Sequence, residues 1–232
     1  MKKIGIIIFA VAALIGIGVA GFFSLGRVGE RVFNNSFTSR VVGSGTTAIE
    51  NRDIEEFDSI DVGGVFHVEV TAQKDFHIAI EADDNLLPLI RTEVSGGVLS
   101  IESEGDLKPS GPIRVRVSAP NIAKLDVTGA STVSIVNLSN DSLSVNASGA
   151  SSVSANGVSR SLVVEVSGAS RIDLSSLQTE EADVNASGAS WVDVSVSEDL
   201  RAESSGAGKI QYQGNPGKLS KSASGAGSVS QK

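Results

Sequence analysis

A four-residue word recurs six times in the second half of this chain. It reads Thr128-Gly129-Ala130-Ser131, Ser148-Gly149-Ala150-Ser151, Ser167-Gly168-Ala169-Ser170, Ser187-Gly188-Ala189-Ser190, Ser205-Gly206-Ala207-Gly208 and Ser224-Gly225-Ala226-Gly227. The central glycines lie 20, 19, 20, 18 and 19 residues apart. Such a period belongs to a repeat architecture, in which each unit buries its apolar face only against its neighbours.

Aligning the copies on the glycine sorts the flanks into columns. Four before it stand Leu125, Val145, Val164, Val184, Ala202 and Lys221. Four after it stand Val133, Val153, Ile172, Val192, Ile210 and Val229. The columns two and six before it and six after it are also mainly apolar, and polar columns fall between them. Alternation at period two is the mark of a strand with one face buried. A helical solenoid needs period 3.6 and would be weakened by a glycine in every unit. The chain is therefore expected to be all-β, a single-stranded parallel β-helix with about 19-residue coils. Each unit should hold two short strands joined by a tight corner, with the remaining residues turning the chain back. The glycine at the corner should take a positive φ. Right-handed crossover is the general expectation.

The segment before the repeats is expected to divide in three. Residues 1–26 hold Met1-Lys2-Lys3 and an uncharged apolar run from Ile4 to Phe23. That run is long enough to cross a bilayer as a helix, and the two lysines favour a cytoplasmic N-terminus. A cleaved signal peptide is the competing reading, with Gly18-Val19-Ala20 as small residues for cleavage. The length of the run favours a retained transmembrane anchor. Both readings place the rest outside the cytoplasm, in the periplasm or the extracellular space. Residues 27–51 lack periodicity and read as a flexible tether. Residues 52–120 alternate without the strict period and read as irregular initial β coils that cap the solenoid, or as a separate small β-domain. Residues 121–232 are the regular repeats. In the last unit, Lys221 and Gln231 enter apolar columns, as suits a terminal edge that must resist pairing.

Composition removes several function classes. There is no Cys, so disulfides, thiol nucleophiles and cysteine–zinc sites are excluded. The 27 acidic residues outnumber 19 basic ones, and no basic stripe stands out, so no nucleic-acid partner is expected. His67 and His77 sit in alternating strands without ligand spacing and read as ordinary strand residues. Asn-X-Ser sequons begin at Asn34, Asn137, Asn140, Asn146 and Asn185, as a chain rich in Ser and Asn produces by chance. Gly43-Ser44-Gly45-Thr46-Thr47 lacks the lysine and spacing of a phosphate loop.

Two outward columns invite a functional reading. Three before the glycine stand Asp126, Asn146, Glu165, Asn185, Glu203 and Ser222. Neighbouring coils would hold them about 4.8 Å apart. Calcium could bridge such a ladder, but the glycine-rich calcium nonapeptide is absent, and a solvated polar face is the simpler reading. No cofactor or metal is expected. Three after the glycine stand Arg171, Trp191 and Lys209, with Asp173 and Asp193 two positions on. This is the candidate ligand-contact face, where an exposed Trp beside acids could stack on a sugar. A cation–π sandwich that only stabilises the coils is the simpler alternative. The pair Asp173/Asp193 also permits a glycosidase reading, although stacked neighbours would be closer than a retaining pair requires.

The run Phe57-Asp58-Ser59-Ile60-Asp61-Val62, then Asn85-Leu86-Leu87-Pro88-Leu89-Ile90-Arg91-Thr92-Glu93-Val94, then Gly97-Val98-Leu99-Ser100-Ile101 and the repeated words resemble a bacterial family, the "putative auto-transporter adhesin, head GIN domain". The resemblance covers about residues 50–230. It implies a β-helical envelope protein and, by the family's name, adhesion. It supplies no catalytic residues. No amphipathic strands of a membrane barrel follow the repeats up to Lys232, so the chain is not expected to translocate itself. The function expected is thus non-catalytic binding or scaffolding at the cell envelope, toward a surface glycan or an envelope protein. The alternatives are a carbohydrate-active β-helix enzyme and a structural or signalling partner of another membrane protein.

Overall fold

The repeated corner and the alternating flanks build two parallel ladders that meet at the glycines. The computed structural model describes residues 40–232, so the expected anchor or signal sequence and most of the tether lie outside the described residues. The strands are β1 (Val41–Val42), β2 (Thr47–Arg52), β3 (Ser59–Gly64), β4 (His67–Ala72), β5 (His77–Asp83), β6 (Ile90–Ser95), β7 (Val98–Ser103), β8 (Leu107–Lys108) and β9 (Arg114–Ala119). The repeats supply β10 (Lys124–Gly129), β11 (Thr132–Ala147), β12 (Ser152–Val166), β13 (Arg171–Ala186), β14 (Trp191–Ser204), β15 (Lys209–Gln213), β16 (Lys218–Ala223) and β17 (Ser228–Gln231).

On the side before the corner the ladder runs β7, β3, β10, the second halves of β11 to β14, then β16, all parallel. On the side after it the ladder runs β9, β4, the first halves of β11 to β14, then β15 and β17, again all parallel. This is the expected solenoid. One detail differs from the expected two short strands per unit. Strands β11 to β14 run unbroken from one corner to the next, absorbing the turn back in register slips such as those at Ile135/Leu138 and Leu174/Gln178. Leu138, Leu177 and Val196 point into the core there, which keeps the back of the coil closed.

The alternation does what it promised. Leu125, Val145, Val164, Val184 and Ala202 are buried in one column, and Val133, Val153, Ile172, Val192 and Ile210 in another. In the last coil Leu219, Lys221 and Gln231 are exposed.

The segment 52–120 is more than a stack of loose coils. The coil made by β3 and β4 lies between the coil of β7 and β9 and the first regular repeat, so order in space is not order in the chain. Beyond β7 and β9 the pairing turns antiparallel: β6 closes one ladder, and β5 followed by β2 closes the other. Residues 40–51, read from the sequence as tether, carry β1 and β2; β1 pairs with β8 and β2 with β5. Buried Asp83 fastens this end, accepting hydrogen bonds from the Gly45 amide (2.9 Å), the Ser110 amide (2.8 Å) and the Ser110 hydroxyl (2.5 Å).

Candidate functional site

Every coil turns at its glycine, and the reason is steric. Gly168 has φ +82°, and a Cβ there would stand 2.5 Å from the carbonyl oxygen of Gly149. The next residue, Ala169, donates its amide to that same oxygen at 2.8 Å. The arrangement repeats up the stack: Ala189 on Gly168, Ala207 on Gly188, Ala226 on Gly206. A column of glycines therefore lets consecutive corners bond directly to one another. The column has a seventh member that the word search misses. Gly64 accepts from the Ala130 amide at 2.9 Å, and a Cβ on Gly129 would meet its oxygen at 2.5 Å. The 65-residue gap between Gly64 and Gly129 hid it; the alternation of Ile60 and Val62 ahead of Gly64, like that of Leu125 and Val127, was the available signal.

Beside this corner, on the preceding strands, lies a groove of about 640 Å³ running from Asp61 to Ser222 and Ser224. Its lining follows the coils. Each contributes a residue three before the glycine, giving Asp61, Asp126, Asn146, Glu165, Asn185 and Glu203. Each repeat also contributes a hydroxyl one before the glycine, from Thr128 through Ser148, Ser167, Ser187 and Ser205 to Ser224. The first column was legible in the sequence; the hydroxyl column beside it was not singled out.

The charges in the groove are partly tied. Lys124 Nζ lies 2.7 Å from Asp126 Oδ2, and the Asn146 amide nitrogen donates to Asp126 Oδ1 at 2.7 Å. Arg201 donates to Glu203 at 2.7 Å. Burial raises the Asp61 carboxyl above its usual range, with Asp126 and Glu102 adding repulsion and Lys124 opposing them. The hydrogen bond and the charge of Asp126 raise Lys124 in turn. Among the described residues no three His, Cys, Asp or Glu side chains converge as a metal site.

The other face follows the corner. Register places Arg171, Trp191 and Lys209 on successive strands, as the spacing predicts. The Arg171 guanidinium lies over the indole, 3.8 Å from its centroid. Lys209 makes no such contact among the described residues, so the stack has a cation on one ring face only. Trp191 is half-buried rather than fully exposed. Asp173 accepts from the Ser175 hydroxyl at 2.6 Å and amide at 3.2 Å. The Ser175 hydroxyl bond is the main cause holding its carboxyl below the usual range, and Lys232 and Arg171 add to the effect.

Asp193 requires a correction. Its side chain is 1% exposed and ion-paired to Lys232 Nζ at 2.6 Å, so it does not share an open face with Asp173. The cause is remote in sequence: the Lys232 amide joins the ladder by donating to the Tyr212 carbonyl, which brings its side chain back over Asp193. His67 and His77 are both exposed on their strands.

The pattern of the family described as "Putative auto-transporter adhesin, head GIN domain" matches residues 56–216. The chain belongs to that family. The match takes in the capping segment and the corners from Gly64 to Gly206, so the head GIN pattern and the glycine column describe the same object. No protein of curated function matches the sequence. Among solved structures, a "putative adhesin" from Bacteroides fragilis superposes with a TM-score of 0.70 at 20% identity, over 83% of this chain and 100% of its own. A "putative adhesin" from Parabacteroides merdae gives 0.55 at 20%, over 83% and 99%. A "putative lipid binding protein" from Parabacteroides distasonis gives 0.53 at 22%, over 83% and 99%. At these identities the likeness establishes the head GIN solenoid as a shared fold.

Proposed function

We propose that this chain is a non-catalytic recognition module held outside the cytoplasm at the cell envelope, binding a surface polymer or an envelope protein along its solenoid. The observation that carries this reading is the groove, in which one acid or amide recurs from the Gly64 coil to the Gly206 coil and one hydroxyl along the repeats. A rigid solenoid that repeats the same polar pair at constant pitch suits an extended, repetitive ligand better than a compact one. The location rests on the lysines and apolar run of residues 1–23 and on the adhesin descriptions of the family and its solved relatives. The carboxylates and amides spaced along the groove suit a ligand that carries hydrogen-bonding groups better than a bare acyl chain. The Trp191 face, with Arg171, Asp173 and Lys209, is the second contact surface in this reading.

The test is the purified full chain screened against envelope and host glycans, with product analysis on every sample. Saturable binding without bond cleavage is the expected result. Cleavage would replace the module with an enzyme. Binding of neither kind would move the search to a protein partner, by crosslinking in intact membranes. Trp191→Ala separates the two surfaces: binding that weakens while the fold persists would assign contact to the Trp191 face.

A further inference from the structure

The groove's chemistry narrows the ligand, on the reading that this is a recognition module. Its lining has four carboxylates, of Asp61, Asp126, Glu165 and Glu203, and no Lys or Arg. Lys124 and Arg201 lie beside it but are engaged with Asp126 and Glu203. A polymer of phosphates or uronates would lay negative charge on these carboxylates with no free cation to receive it. The lining is rich in acceptors, and its donors are amides and hydroxyls. The complementary ligand brings many hydroxyl or amine donors and some acceptors, which describes a sugar chain without acidic groups.

Pitch separates a glycan from a peptide. Groove partners repeat about every 4.8 Å, the spacing of paired strands, whereas side chains on one face of an extended peptide repeat about every 6.8 Å. A peptide laid along the axis would leave register within two or three coils. A pyranose in an extended chain advances by close to one coil. The volume of about 640 Å³ falls in the range of small-ligand sites, which suits a short stretch of sugars and not a folded partner.

We propose that the groove beside the glycine column binds a linear glycan free of acidic groups, lying along the solenoid axis with one sugar unit per coil. Asn146 and Asn185 each give one amide N–H, to Asp126 and Asp183 respectively, and keep a second N–H and an oxygen for the ligand, Glu165 accepts between them, and Ser148, Ser167 and Ser187 form the opposite rail.

The experiment is calorimetric titration of the full chain with cello-oligosaccharides and chitosan oligosaccharides of increasing length. Oligogalacturonates and oligolysine of matched length are the comparison probes. Affinity for one of the first two series should rise with length and then level off once the groove is filled. Asn146→Ala and Asn185→Ala should each weaken binding roughly threefold to tenfold, the worth of one ordinary hydrogen bond. Deleting one whole coil, residues 150–168, keeps the corner-to-corner phase. It should lower the plateau length by one sugar, a shift that general destabilisation does not produce; circular dichroism checks that the shortened solenoid folds. Preferential binding of oligogalacturonate or oligolysine would overturn this inference while leaving the recognition module standing. Glycan binding untouched by both asparagine changes would overturn the groove as its site. Binding of no probe by a folded chain would overturn the inference, and the wider glycan screen would then decide the recognition reading separately.

Discussion

The hydroxyl of Ser204 donates to the carbonyl oxygen of Gly208, 2.8 Å away across the fifth corner. In the four earlier repeats the inward position two before the glycine is Val127, Ala147, Val166 or Ala186, and the position two after it is a buried serine, Ser131, Ser151, Ser170 or Ser190. In the fifth the hydroxyl has crossed to the other side of the corner. A Cβ on Gly208 would lie 3.0 Å from Ser204 Oγ and 3.3 Å from Ser190 Oγ. In the five coils from Gly129 to Gly206 the corner therefore holds one hydroxyl each, from one side or the other but not from both.

Restoring the common word by Gly208→Ser should crowd two hydroxyls into one space and destabilise the fold by about 1–3 kcal/mol. Ser204→Ala alone should cost about 1 kcal/mol for its hydrogen bond. The double variant recreates the earlier coils and should be more stable than Gly208→Ser alone. Urea midpoints of the four proteins complete the cycle, and strictly additive losses would refute the exchange.

Gly188→Ala should be among the most damaging small changes in the molecule. Its φ of +78° disfavours any side chain, and the added Cβ would stand 2.5 Å from the Gly168 oxygen. The left-handed backbone alone costs about 1–2 kcal/mol, and the clash with backbone adds to it. Gly217→Ala is the control: its φ is ordinary, and its Cβ would meet only the Glu198 oxygen, at 3.8 Å. A large drop in thermal midpoint for the first and almost none for the second is expected. Equal effects would mean that the glycine column is not what fixes the corners.

The contrast between these glycines shows what a sequence reader can see. The six-fold word and its columns were legible because each coil sets the same local problem and solves it alike. The rung at Gly64 was not, because after β4 the chain builds the end coil of β7 and β9 and its caps on the far side of Gly64 before β10 resumes on the near side. The antiparallel caps were equally hidden: alternation marks β5 as a strand but says nothing about partner direction, and β2 lies mostly in the stretch without periodicity. In the site, the column from Asp126 to Glu203 could be read from the period alone. The burial of Asp193 could not, since it depends on Lys232, 39 residues away.

Acid should loosen the capped end first. The Ser110 hydroxyl and amide and the Gly45 amide all donate to Asp83, and together they hold its carboxyl below the usual value. A group with a lowered folded pKa stabilises the fold above its unfolded pKa of about 4, and that contribution is lost as pH falls through the folded value. Asp83→Asn should therefore destabilise the protein at neutral pH. The gap to wild type should narrow steadily below about pH 4. Thermal midpoints measured against pH test this, and a gap that stays constant into the acid range would show that the Asp83 charge is not linked to folding.

The Asp193–Lys232 pair gives a prediction with its own optical reporter. Lys232→Met would leave the buried Asp193 carboxylate without its cation. Losing one partner of a fully buried pair costs roughly 3–5 kcal/mol; with the Lys232 side chain half exposed, about 2 kcal/mol is the expected loss. Asp193→Asn on that background removes the stranded charge and should recover most of it. Trp191 is the only tryptophan in the chain and lies two residues from Asp193 on the same strand, so its emission follows unfolding at this site directly. Urea melts read by that emission should show a lowered midpoint for Lys232→Met and a near-normal one for the double variant. If Asp193→Asn gives no recovery, the ion pair is incidental, and Asp193 owes its burial to packing around it rather than to Lys232.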